Sequence, residues 1–173
     1  QLRTPTEKTI AKLLIKRDDI DASIAEKVAK ISQGNIERAN FLSKNLESRI
    51  RRDEVIDLIL NLNVPSSAFS AASRLIELVN DEAESSTSTK EQQEMNKLQN
   101  SPQGIGRSLI SGSAKVIKEL EKDQKNRASK SIRDSLDRFL LDIISIYRDA
   151  LLIKFGLSNQ IINLDFFSRI HEF

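Results

Sequence analysis

An all-α fold is predicted by three observations on the 173-residue sequence. Apolar residues recur at spacings of three and four along almost the whole chain, the signature of one helix face. Only three prolines and five glycines interrupt that pattern, which leaves room for long helices. No segment shows the apolar–polar alternation of a strand, and no internal repeat is visible.

The elements follow in order. "TPTEKTIAKLLIKR" opens with Thr4 or Thr6 as cap and Glu7 near the start, with Ile10, Leu13 and Leu14 on one face. "DASIAEKVAKIS" starts at the capping candidate Asp21 and aligns Ile24, Val28 and Ile31. Gly34 ends that helix, and Asn35 caps a third carrying Ile36, Ala39, Leu42 and Leu46. These three form a small bundle over residues 6 to 47. "ESRIRRDEVIDLILNLNV" is charged at first and apolar on nearly all sides at its end, so it requires cover from several directions. Pro65 suits a first helical turn. Phe69, Ala72, Ile76 and Val79 then step as a heptad seam. The polar run "NDEAESSTSTKEQQEMNKLQN" predicts a helix standing in water or fraying. "SPQGIGRSLISGS" (101–113) is loop-like.

From residue 114 to about 155 the spacing predicts one helix of roughly 40 residues, about 60 Å long. Residues 114–133 hold seven Lys/Arg against three Asp/Glu, a local +4. The second half carries a wide apolar stripe of Leu136, Phe139, Leu140, Ile143, Ile144, Tyr147 and Leu151. That breadth suggests a multi-helix core or a subunit interface. Gly156 stops this helix, and "NLDFFSRI" is a last short one.

Composition excludes several functions. The 27 basic and 25 acidic residues give a net +2, so no global field draws the chain to nucleic acid or membrane. With no cysteine and a single histidine, His171, thiolate sites, disulfides, histidine metal sites and catalytic triads lack their members. No apolar run approaches the roughly 20 residues that span a bilayer, no signal-peptide pattern opens the chain, and the expected location is cytoplasmic. Opening on Gln1 rather than methionine, the chain is expected to be part of a longer protein.

The candidate motifs have plain counterparts. "GIGR" (104–107) lacks the Lys-Ser/Thr and the preceding strand of a phosphate loop, and reads as an ordinary turn. "RIRR" (49–52) and the basic run 115–133 present cations for phosphate contact or for solvation of an exposed face. No aromatic residue among 114–133 offers a base-stacking platform. Asp18/Asp19 and Asp53/Glu54 suit helix dipoles better than acid–base chemistry. Among these motifs there is no catalytic constellation.

A three-helix bundle containing "SQGNIERANFLSKN", entered through "QLRTPT", is followed by a helical region and the long "QKNRASKSIRDSLDRFLLDIISIYRDALLIKFG". In this order the chain resembles the carboxy-terminal two-thirds of clamp-loader subunits of bacterial DNA polymerase III, over nearly its whole length. Within that family it is most similar to delta-prime subunits of actinobacterial type. The resemblance implies an AAA+ lid over residues 1–47 and a helical collar, an oligomerisation domain, over 48–173. It also implies a replication function: assembly of the loader that places the sliding clamp on primed DNA, as part of a DNA-directed DNA polymerase. The implied partners are other clamp-loader subunits in a hetero-oligomeric ring, with clamp and DNA reached through the whole complex and no membrane contact. In ATP-hydrolysing members, a sensing arginine stands three residues after the glycine of Gly-x-x-Arg-x-Ala. Here Gly34 and Ala39 hold their places, but Glu37 occupies that position and Arg38 comes one residue later. One residue is about 100° of helix rotation, and a glutamate repels polyphosphate. The chain is therefore expected to be non-catalytic, to need no cofactor and to leave ATP unbound, with Arg38 the weak nucleotide candidate. Lys115, Lys118, Lys122, Arg127 and Arg133 are the candidate interface cations. The alternatives are the gamma/tau-type ATPase subunit and an unrelated helical adaptor.

Overall fold

The computed structural model describes residues 4–62, 64–99 and 113–173, with side chains except at 88–99, 113–122 and 124. Among the described residues there are seven α-helices and no strand. They are α1 Glu7–Asp18, α2 Ala22–Ile31, α3 Ile36–Lys44, α4 Leu46–Leu60, α5 Pro65–Gln99, α6 Ser113–Lys154 and α7 Phe167–Glu172, with short 3-10 turns at Ser158–Gln160 and Leu164–Phe166. The all-α class expected from the spacing is the observed one. The chain forms two compact units, residues 1–67 with 141–173 and residues 68–140. The boundary expected between 47 and 48 falls inside the first unit. The loop-like stretch 101–112 lies outside the described residues.

In the first unit, local chemistry sets the helix ends. The Thr6 hydroxyl accepts the Thr9 amide at 3.3 Å. Asp21 accepts the Ser23 and Ile24 amides at 2.8 and 3.4 Å, and Asn35 accepts the Arg38 amide at 3.0 Å; these are side-chain N-caps. The turn between α2 and α3 passes through Gln33 and Gly34 at φ 51° and 88°. A Cβ on Gly34 would collide with the Thr4 methyl, so only glycine fits there.

Ile10, Leu14, Ala25, Val28, Ala39 and Leu42 form a buried core of α1, α2 and α3, which Ile162 from the C-terminal segment completes. A second core joins Ile56 and Leu60 of α4 to Ile146 and Ala150 of α6 and Ile170 of α7. The expectation that the end of α4 needs cover on several sides agrees with its burial: Val55, Ile56 and Leu60 are buried and Leu58 and Ile59 half-buried.

The expected α3 face needs correction. Ile36 is exposed, and Leu46 begins α4 and is also exposed. The chain breaks at Asn45 (φ −116°, ψ 99°), where the Arg49 guanidinium caps the carbonyls of Leu42 and Ser43 at 2.6 and 3.0 Å. Asn45 does the same for Phe41 at 2.8 Å. The last turn of α3 thus satisfies its orphan carbonyls through side chains of the next helix, and the stripe cannot run on.

At its C-terminus α6 stops as expected. Gly156 takes φ 74°, while the Leu157 amide reaches Leu152 O at 2.8 Å and the Gly156 amide reaches Ile153 O at 3.0 Å, a Schellman motif.

Pro65 opens α5, which enters the second unit at Ala68 and continues through the polar run to Gln99. The expected seam is overturned at three of four positions: Phe69 is 83% exposed, Ala72 and Ile76 are exposed, and only Val79 is buried. Burial starts at Leu78 and continues through Val79, Glu82 and Ala83. There a polar residue organises the contact. Buried Glu82 faces the Arg138 guanidinium of α6 at 3.7 Å, and the Ser131 hydroxyl donates to Ala83 O at 3.0 Å. Ser135 and Phe139 are the buried residues on the α6 side.

Three carboxylates depart from the ordinary value of 3.8. Hydrogen bonds from Arg17, then Lys44, hold Asp18 below it, and bonds from the Ser23 hydroxyl and amide hold Asp21 below it. Burial pushes Asp53 above it, against the opposing pull of Arg52. Asp18 and Asp21 therefore lend stability above pH 3.8 that is lost as pH falls through their folded values. Asp53 works the other way, withdrawing stability as pH rises from 3.8 through its raised value. Carbon-detected NMR titration should show Asp53 deprotonating last of the three; an order with Asp53 first would contradict the burial.

Candidate functional site

The residue singled out by the sequence, Arg38, is buried. Its guanidinium donates to Asp142 Oδ1 at 2.6 Å. Arg52 of α4, also buried, donates from Nε to the same oxygen at 2.8 Å. Arg52 also reaches Asn163 Oδ1 and Asp53. The Asn163 amide donates to the Ser145 hydroxyl at 3.0 Å and to Asp149 Oδ2 at 2.9 Å. Asp149, fully buried, accepts the backbone amides of Ile162 and Asn163 at 2.9 and 2.8 Å. Arg148 lies 3.2 Å from its other oxygen.

The result is a clasp of two arginines, two aspartates and an asparagine that ties α3, α4, α6 and the C-terminal segment together. Buried charges are tolerated when paired and hydrogen-bonded on several sides, and Asp142 and Asp149 both are. The reason these aspartates meet the same neighbours is spacing. They stand seven residues apart, two helical turns, with Ser145 between them on the same face. An Asp149→Ala chain is expected to lose about 2 kcal/mol, because two buried amides and the Asn163 side chain lose their acceptor. Hydrogen exchange should speed up selectively at Ile162 and Asn163; unchanged protection there would show that the segment is held by its apolar contacts alone.

Arg38 is thus engaged with Asp142, and Glu37 is on the surface. Of the cation candidates, Arg127 and Arg133 are exposed on α6, while the side chains of Lys115, Lys118 and Lys122 lie outside the described residues. Sequence reasoning missed Asp142, Ser145, Asp149 and Asn163, and it read Arg52, within "RIRR", as a cation for phosphate or for an exposed face where the structure buries it. A usable signal was present: "LLDII" and "YRDALL" each set a carboxylate inside an apolar run, and a carboxylate so placed requires a buried partner.

The clasp also sets which side of α6 is exposed. Within the first unit, Asp142, Ser145, Ile146, Asp149 and Ala150 are buried. Leu141, Ile144, Tyr147, Leu151 and Phe155 are exposed, Ile144 at 61% and Phe155 at 76%. Phe173 meets Tyr147 edge-on, with centroids 5.6 Å apart. Of the stripe that suggested a multi-helix core or a subunit interface, Phe139 is buried and Ile143 half-buried, while Leu136, Leu140, Ile144, Tyr147 and Leu151 are exposed, so the core reading is corrected for those five. The buried face is displaced by about one residue, or 100° of rotation. A row of large apolar side chains on the surface of a folded unit is a candidate interaction site.

The first unit also holds a cleft of about 810 Å³ between α1, α2 and the C-terminal 3-10 turn. Among the described residues no cluster of His, Asp or Glu could hold a metal, and no helix is long and apolar enough to cross a membrane. Comparison with family models, with curated proteins and with solved structures returned no match.

Proposed function

We propose that this chain is the lid and collar portion of a clamp-loader subunit of delta-prime type. It assembles with other clamp-loader subunits and carries out no chemistry itself. The observation that supports the reading is the exposed apolar row of α6, Leu141, Ile144, Tyr147, Leu151 and Phe155. It is an apolar surface on the helix that the resemblance assigns to assembly. A ring contact of this kind is heterologous, one subunit's row meeting a different face of its neighbour. Arg38, turned into the clasp, fits a subunit that holds position instead of sensing nucleotide. The work of such a subunit is to present a rigid surface, and a helix tied down by buried ion pairs is suited to it.

Co-elution with purified clamp-loader subunits at micromolar concentration tests the reading. Ile144→Asp combined with Leu151→Asp should weaken assembly by at least about tenfold while leaving the circular dichroism melt of the isolated chain unchanged. Charge reversal at Lys115, Lys118 and Lys122 should slow association and alter its salt dependence. A chain that elutes alone, or a double-aspartate variant that assembles normally, would reject the proposal.

A further inference from the structure

One wall of the cleft in the first unit already pairs a carboxylate with one of its lysines. The walls are α1 and α2, whose lining residues repeat at helical spacing: Lys8, Ala11, Lys12 and Ile15 on one, Ser23, Glu26, Lys27 and Lys30 on the other. Ile31 and Ile162 supply apolar floor, and Leu164, Asp165 and Phe166 close one end. That closing segment is an acid between two apolar residues. Its carboxylate forms an ion pair with Lys27 of α2, while Phe166 packs on the neighbouring core. Lys8, Lys12 and Lys30 form no ion pair among the described residues. Glu7 and Glu26 share the rim, which therefore holds four lysines against three acids, counting Asp165. Arg52 at the bottom is committed to Asp142 and Asn163.

We propose that this cleft docks an acidic peptide segment of a partner protein, in which carboxylates alternate with large apolar side chains. The apolar anchors would lie on Ala11, Ile15 and Ile31, and the carboxylates would meet Lys8, Lys12 and Lys30. The volume lies in the range of peptide and small-molecule sites. The Lys27–Asp165 pair is exposed on both sides. Such pairs are weak, so a ligand carboxylate exchanges with Asp165 at little loss. This site is separate from the apolar row of α6 and does not depend on the clamp-loader reading.

The test is fluorescence anisotropy on the full 173-residue chain with a labelled peptide alternating leucine or phenylalanine with aspartate. Expected are saturable binding with a Kd on the order of 10–100 µM, weakening with salt, and none for the same peptide with lysine replacing aspartate. Lys8→Glu, Lys12→Glu and Lys30→Glu together should weaken binding at least about tenfold. If that chain melts early, the neutral set Lys8→Gln, Lys12→Gln and Lys30→Gln replaces it, with a loss of about threefold or more. Asp165→Asn, which releases Lys27, should tighten binding about twofold or more. Amide shifts in labelled protein should cluster on α1, α2 and residues 162–166. No binding, equal binding by the lysine peptide or by the charge variants, an Asp165→Asn chain that binds no tighter, or shifts centred on α6 would each overturn the proposal. So would binding to phosphatidylserine vesicles in place of the peptide, because the cleft would then be a lipid site.

Discussion

Asp142→Ala is expected to destabilise the chain by about 3–5 kcal/mol, the range for removing one partner of a buried ion pair. Asp142 Oδ1 accepts from both Arg38 and Arg52, at 2.6 and 2.8 Å, and all three residues are buried. Without the carboxylate, two guanidinium groups remain next to each other in a low-dielectric interior, and each must find water or repel the other. The effect should appear as a lower urea midpoint at pH 7 with a similar slope. Replacing the whole cluster separates the pair's net worth from the penalty of breaking it. Arg38→Met, Arg52→Met and Asp142→Leu in one chain should recover most of the loss, since apolar replacement of a buried ionic group is often neutral or stabilising. A loss below about 1 kcal/mol in Asp142→Ala would mean that water reaches the arginines and the clasp is not a dry joint.

Phe139→Ala is expected to cost about 3–5 kcal/mol, although its neighbours in the apolar stripe should cost little. Phe139 is 2% exposed, whereas Ile144, in the same sequence pattern, is 61% exposed. Truncating Phe139 removes buried apolar surface and leaves a cavity that the surroundings only partly fill. Truncating Ile144 removes a side chain already in water, and the isolated chain should change by no more than about 0.5 kcal/mol. The two variants measured side by side in urea discriminate the observed burial from the pattern expected from sequence. Equal costs would place Ile144 in a core after all and would remove the apolar row from the surface. Under the proposed assembly the order should reverse, with Ile144 affecting binding and Phe139 acting only through folding.

Much of the fold was readable because its causes are local. The caps Thr6, Asp21 and Asn35, the turn glycine Gly34, Pro65 opening α5 and Gly156 closing α6 act within a few residues of themselves, and each appears where the spacing placed it. The candidate site was less readable. Arg38 was visible as a residue out of register, but its partner is 104 positions away. The partner of Arg52 is 90 away on one side, and Asn163 is 111 away on the other. Hydrophobic periodicity ranks residues by apolarity, so it marked Leu136, Phe139, Leu140, Ile143, Ile144, Tyr147 and Leu151 as one stripe for a core or an interface and could not separate the two. It could not weigh the buried aspartates beside that stripe.

By itself, then, the sequence determined that the chain is helical, where several of its helices are capped or stopped, and that it lacks the cysteines and histidines of metal and disulfide sites. Those properties depend on backbone geometry and composition, which act residue by residue. The tertiary structure alone decided which side of α6 faces inward. A helix with apolar residues over a wide arc has several faces of similar hydrophobic worth. The choice among them follows the strongest unshared demand. Here that demand is the burial of Asp142 and Asp149 against two distant arginines and the backbone amides of the C-terminal segment. With another face inward, Arg38, Arg52 and the amides of Ile162 and Asn163 would lose these acceptors while buried, which costs more than exposing leucines and isoleucines to water, so the apolar row is turned outward.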